Sequence, residues 1–166
     1  MTINQFLRKK MSHELPNKID YMLVCAGFES RSLSMYDFFN ASDVKSTATF
    51  FTKQFHSSAK GNIEKYKAKF NGNLYEIDNS DPTSIADALV DFFSNITEST
   101  PVILVDISTF TREAILIILK FLEYSNFDIS ETYFYYRKAK VSDKLSEQVI
   151  QVRSVLGYMG NLKLNT

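Results

Sequence analysis

Pro-Val-Ile-Leu-Val-Asp-Ile-Ser-Thr-Phe-Thr-Arg-Glu, residues 101–113, passes from an unbroken apolar run directly into charged and hydroxyl side chains. Val102, Ile103, Leu104 and Val105 show no alternation, the pattern of a strand covered on both faces in a parallel sheet. Asp106 follows at its carboxyl end. From Arg112 onward Ile115, Leu116, Ile118, Leu119 and Leu122 recur at three and four residues, which predicts a helix. Ser108, Thr109 and Thr111 then occupy the strand-to-helix turn, on the edge where open α/β sheets bind ligands.

A second stretch repeats this design. Residues 21–26 are nearly all apolar, and Gly27-Phe28-Glu29-Ser30-Arg31-Ser32 leads into a predicted helix over 30–40 carrying Leu33, Met35, Tyr36, Phe38 and Phe39. Two strands thus end in hydroxyls together with an acid and an arginine. These two turns are expected to form one site.

Between and beyond them the chain alternates. Residues 47–55 mix apolar positions with threonine and lysine, as a strand nearer the sheet edge would. A lysine-rich helix follows over 57–70, with Ile63, Tyr66 and Phe70 on one face and Lys60, Lys65, Lys67 and Lys69 on its solvated side. Asn71-Gly72-Asn73 signals a turn before a short strand at 74–77. Asp81-Pro82 announces the next helix, because Asp81 accepts from free amides and Pro82 suits the first helical position. That helix carries Ile85, Ala86, Leu89, Phe92, Phe93 and Ile96 on one face. After the stretch quoted first come an aromatic strand at 132–136 and a helix over 142–156 with Leu145, Val149, Val152 and Leu156. Residues 1–20 read as a lead-in with a short helix over Ile3, Phe6 and Leu7, and 157–166 as a tail.

Strand and helix alternate five times with no linker, which predicts a single α/β domain: a three-layer, Rossmann-like sandwich around a five-stranded, mainly parallel sheet. The two most continuously apolar strands, the first and the fourth, belong at the centre, giving the order 3-2-1-4-5. Both polar turns then open into the crevice between them, the topological switch point. A flavodoxin-like 2-1-3-4-5 order would separate the turns by one strand.

The whole chain has 166 residues, 45% of them hydrophobic, enough for one real core. Its formal net charge is zero, so nothing points to generic binding of nucleic acid or of anionic membranes, and an anion site must be built locally. The single cysteine, Cys25, has no partner for an intramolecular disulfide, in keeping with a reducing cytoplasm, and its place in a strand makes it a small apolar residue. No apolar run reaches the roughly 20 residues of a membrane span, and no apolar segment follows the basic N-terminus as in a secretory signal. These features together predict an intracellular protein.

Arg31 and Arg112 carry the functional reading. Each falls in the first turn of a predicted helix, where a cation meets amides that are already partly positive, a placement that makes sense if an anion is bound. The alternative is that Arg31 pairs with Glu29, and Arg112 with Glu113, Asp106 or another nearby carboxylate. Gly27, Ser30, Ser32, Ser108, Thr109 and Thr111 complete the ligand-binding set, although serine and threonine are also ordinary helix caps. Asp106 suits a ribose hydroxyl, a cation or general-base work, or else is satisfied by neighbouring amides. With Glu29 or Glu113 as acid partner, the site would cleave an N-glycosidic or phosphoester bond. No Gly-x-Gly-x-x-Gly and no Walker motif is present, so the usual dinucleotide and P-loop grips are absent and the cofactor is unknown. Asp106-Ile107-Ser108 has serine where the phosphatase Asp-x-Asp signature has its second acid. His13 and His56 lack metal-ligand spacing and read as surface residues, and the tyrosines of 133–136 read as core rather than as a base-stacking surface.

With Gly27 to Ser32 after the first strand and Asp106 to Arg112 after the fourth, the layout resembles the CRISPR-associated Rossmann-fold (CARF) and SAVED sensor domains, and more loosely the Rossmann-like effectors of bacterial anti-phage systems. The resemblance covers most of the chain in topology and these two motifs in residues. It implies a turn after each of these strands that binds cyclic oligonucleotides. The family's glycines after the aspartate are Thr109 and Phe110 here, which departs from its close backbone approach to phosphate.

Three functions follow as expectations. The first is a cytoplasmic module that binds a nucleotide or other phosphorylated ligand and passes the event to a protein partner or a second copy of itself. Arg31 and Arg112 would clamp phosphate, Ser32, Ser108 and Thr111 would hydrogen-bond it, and Asp106 would take the ribose. The second is a hydrolase of NAD or a nucleotide using Glu29, Asp106 or Glu113. The third is a scaffold in which these side chains only cap helices and pair with one another.

Overall fold

The computed structural model describes residues 15–94 and 96–139. The lead-in helix, His13, the helix over 142–156 and the tail lie outside the described residues. Within them, five strands form one all-parallel sheet in the order β3-β2-β1-β4-β5, as expected. The strands are β1 (Ile19–Cys25), β2 (Val44–Thr52), β3 (Gly72–Ile77), β4 (Ile103–Asp106) and β5 (Thr132–Tyr135). The helices are α1 (Ser34–Phe38), α2 (His56–Lys69), α3 (Thr83–Phe93) and α4 (Arg112–Glu123).

Alternation along each strand divides the core in two. Tyr21, Leu23 and Cys25 of β1, Phe50 of β2 and Ile103 and Val105 of β4 face one side, where Ile85, Leu89 and Phe92 of α3 and Ala114, Ile117 and Ile118 of α4 cover them. Met22, Val24, Phe51 and Leu104 face the other, against Met35 of α1 and Ala59, Ile63 and Tyr66 of α2. Right-handed crossovers require this division. The β1–β2 and β2–β3 connections share one face, and the two later ones share the other. The reversal falls between β1 and β4.

Local chemistry sets the helix starts. Asp81 Oδ1 accepts from the Thr83 amide at 3.0 Å and from its hydroxyl at 2.6 Å, which opens α3. Thr111 Oγ1 accepts from the Ala114 amide at 3.1 Å and caps α4. Gly72 begins β3 at φ 149°, and a β-carbon there would lie 1.9 Å from the Thr47 carbonyl oxygen. Only glycine lets β3 approach β2 at that point.

The segment after β1 departs from expectation. In place of a helix over 30–40, a 3₁₀ turn, Ser30–Leu33, passes into the five-residue α1. The reason is competition for carbonyls: the Ser34 hydroxyl takes the Arg31 carbonyl at 2.7 Å, and the buried Tyr66 hydroxyl takes that of Ser32 at 2.7 Å. Arg31 thus sits in a tight turn and not in the first turn of a long helix.

Candidate functional site

The two polar turns meet at the carboxyl edge of the sheet. Thr109, after β4, donates its hydroxyl to the Cys25 carbonyl at the end of β1 at 2.6 Å. Gly27 lies beside the same threonine, close enough that a β-carbon would come 3.7 Å from Thr109 Cβ. Parallel pairing of β1 with β4 brings these turns together.

Asp106 lies at the floor between them, 2% exposed. Its Oδ1 accepts from the Ser108 amide at 2.9 Å. Burial raises its carboxyl above the ordinary range, opposed by the Ser108 side chain and amide and by the charge of Arg31. A carboxylate held this way keeps a proton more readily than a surface aspartate does.

Arg31 is engaged. Its Nε donates to Glu29 Oε2 at 2.6 Å and its Nη2 to Oε1 at 3.2 Å, a two-pronged pair. This is the Glu29 pairing weighed as the alternative. The Glu29 hydrogen bond raises the Arg31 guanidinium above its ordinary range, and the charges of Tyr136 and Asp106 add to it.

Ser32 and Thr111 serve the backbone. The Ser32 hydroxyl, 1% exposed, lies within reach of the Gly27 and Glu29 carbonyls at 2.9 and 2.7 Å and accepts from Asn62 at 3.1 Å. Nothing of it is left for a guest. Ser30 is exposed at the outer rim. Arg112 is exposed at the start of α4, and its guanidinium makes no hydrogen bond or ion pair to another described residue. Glu113 lines a small cavity with Asp78, Pro82 and Ile85 between α3 and α4, and neither Asp106 nor Glu29 is among the described residues that line it.

One cation in the crevice escaped the sequence reading. Arg137, just past β5, donates its backbone N–H to the Ser108 hydroxyl at 2.7 Å and points Nη1 toward Ser34 Oγ at 3.4 Å. Ser34 in turn donates to the Arg31 carbonyl, so the Arg137 guanidinium meets the serine that holds the Arg31 backbone. The signal was present: Tyr136-Arg137-Lys138 is a third polar run at the carboxyl end of an apolar strand.

The rim toward β2 is aromatic. Phe28 and Phe55, from the turns after β1 and β2, meet edge to face with centroids 5.5 Å apart. At the opposite edge of the sheet a cavity of about 680 Å³ opens between α3 and α4, lined by Phe93, Phe121, Tyr124 and Phe127. Its one charged lining residue, Lys120, is paired with Glu123 at 3.0 Å. Its hydroxyls, on Ser94, Tyr124 and Ser125, have neither a carboxylate nor a guanidinium beside them among the described lining residues.

Among the described residues no cluster of three or more His, Cys, Asp or Glu is arranged to hold a metal ion, and no helix is long and apolar enough to cross a membrane. Comparison with protein-family models, curated proteins and solved structures finds no match to this chain.

Proposed function

We propose that the crevice over β1 and β4 binds a phosphate-bearing ligand, with Arg31 and Arg137 as its cations and Asp106 as the acceptor for a ligand hydroxyl. The supporting observation is the Arg137 guanidinium at Ser34, the serine that holds the Arg31 backbone, above a buried acid at the switch point of a parallel sheet. Guanidinium groups suit phosphate because their planar N–H pairs match its oxygens. Arg112, on the neighbouring turn, adds long-range attraction without closing the crevice. Fold alone carries none of this, since Rossmann-like sheets host many unrelated activities.

The setting we propose, a bacterial defence or signalling complex in which the bound ligand is reported to a protein partner or a second copy, is supported by the likeness of the two turns to CARF and SAVED domains. A hydrolase is the second reading. The buried carboxyl of Asp106, raised by desolvation, favours it, because perturbed acids in a cleft suit acid/base work.

Titrating the full chain with pyrophosphate and with nucleotides, by calorimetry, tests the first reading. Binding that Arg137→Ala weakens tenfold or more, and Arg112→Ala weakens less, supports it. No binding of any of these ligands refutes it and favours the scaffold. Incubation with NAD and the same nucleotides, followed by product analysis, tests the hydrolase, which requires turnover that Asp106→Asn abolishes.

A further inference from the structure

We propose that Phe28 and Phe55 form a stacking platform for a planar base, so that the ligand class is a nucleotide and not a phosphosugar or an inorganic anion. The inference rests on the phosphate-binding reading above. Phe28 is 55% exposed and Phe55 46%. A single exposed phenylalanine is ordinary. Here two come from different loops, meet at 5.5 Å with planes inclined at 61°, and stand on the ligand-binding edge.

Neither ring is needed to close the core. Phe51 and Phe50, the apolar residues of β2 just before this turn, are already buried, and neither Phe28 nor Phe55 is a member of either core cluster. The edge-to-face geometry leaves an open π-face on the pair, and base stacking on such faces tolerates any of the bases. His56, tilted at 38° against Phe51 with centroids 5.0 Å apart, anchors the end of the turn that presents Phe55.

The spacing also fits. Neighbouring strands lie about 4.8 Å apart, so the three steps from β2 through β1 and β4 to β5 set the strands that lead to Phe55 and Arg137 roughly 14 Å apart. Gly27 bridges the two halves: it follows β1 between the aromatic rim and Thr109 and carries no side chain to block a sugar lying across it. A base over Phe28 and phosphates beside Arg137 use the whole length of this edge. Inorganic phosphate or a sugar phosphate uses only the guanidinium end.

The experiment compares the full chain with the double variant Phe28→Leu/Phe55→Leu, using four nucleoside diphosphates (adenine, guanine, cytosine, uracil), ribose 5-phosphate and pyrophosphate as probes. The proposal expects at least one diphosphate to bind tenfold or more tighter than pyrophosphate and ribose 5-phosphate, and the double variant to erase that advantage while pyrophosphate binding stays within twofold. Circular dichroism checks the fold, and the single variant Phe28→Leu provides the same readout should the double one fail to fold. Equal affinity of the wild type for diphosphates and pyrophosphate, or an advantage that survives the substitutions, overturns the stacking platform and leaves the phosphate site standing. A change of oligomeric state with that advantage intact assigns the rings to contact between copies and overturns it too. Absence of binding by every probe overturns the phosphate site and the platform together.

Discussion

The backbone N–H of Arg137 donates to the hydroxyl of Ser108 at 2.7 Å, tying the chain that leaves β5 to the turn that follows β4. Ser108 is 3% exposed, so this bond is sheltered from water. It fixes the point from which the Arg137 side chain reaches Ser34. Ser108→Ala removes the acceptor and costs about 1 kcal/mol of stability. The same change lets Arg137 drift, and pyrophosphate binding is expected to fall about as far as in Arg137→Ala. Denaturant melts and calorimetry on the three proteins decide it: a loss of stability with affinity intact would make Ser108 a strut and nothing more.

Glu29 competes with any anion for Arg31. Its two-pronged pair occupies the guanidinium edge that would otherwise meet phosphate. Glu29→Gln keeps the shape and removes the charge, so phosphate-bearing ligands are expected to bind several-fold tighter. Stability changes by no more than about 1 kcal/mol, because the Glu29 side chain is 41% exposed and such pairs contribute little. Weaker binding in the variant would mean that Glu29 aims Arg31 at the ligand.

The sheet order was readable because burial on both faces leaves an unmistakable mark: β1 and β4 carry consecutive apolar residues, and only central strands do. Thr111 and Asp81 were readable as helix openers for the same local reason. The site was harder. Ser32 and Ser34 look alike in sequence, yet Asn62 and Tyr66, some 30 residues later, decide that Ser32 is consumed internally. The sequence likewise could not tell that Glu113 faces α3 while Asp106 faces the crevice, since a helical turn separates side chains that are close in number. Arg137 is hard to find in the sequence because it follows an aromatic strand that reads as core.

Two carboxyls make opposite predictions for stability against pH. Asp106 has its carboxyl raised from the ordinary 3.8 by burial. The unfolded chain therefore loses this proton first, and stability falls as pH rises from about 3.8 to the folded value, then stays level. Asp106→Asn removes that dependence, so the gap in melting temperature between variant and wild type shifts in the variant's favour across this window. Glu98 is lowered to about 2 by Lys45 and then by the Tyr21 hydroxyl. Its contribution is complete above the ordinary 4.5 and fades as pH falls toward 2. Glu98→Gln accordingly loses most, relative to wild type, above pH 4.5. Melting curves from pH 2 to 8 read both slopes, and an Asp106→Asn profile parallel to wild type would show that burial does not perturb that carboxyl.

Gly27 and Gly72 look equivalent as turn glycines, but their surroundings predict opposite outcomes for the same substitution. At Gly72 the φ of 149° is strained for any β-carbon, and the Thr47 carbonyl oxygen would lie 1.9 Å from it. The oxygen belongs to backbone paired in the sheet and cannot move aside, so Gly72→Ala must shift β3 away from β2. The expected cost is at least about 1–3 kcal/mol, the scale of a residue held in a disfavoured backbone region. At Gly27 a β-carbon meets only the Thr109 side chain, Cβ at 3.7 Å and Cγ2 at 3.9 Å, both ordinary contacts, and the backbone has no positive φ. Gly27→Ala should fold with a melting temperature at or slightly above wild type, because alanine restricts the unfolded chain more than glycine does. Its effect should appear instead in binding: a methyl group at the crossing point between the aromatic rim and the guanidinium end stands where a ligand would lie against the backbone. Calorimetry with the tightest-binding nucleoside diphosphate is expected to show a loss of tenfold or more in Gly27→Ala, and binding that matches wild type would place the ligand away from this turn.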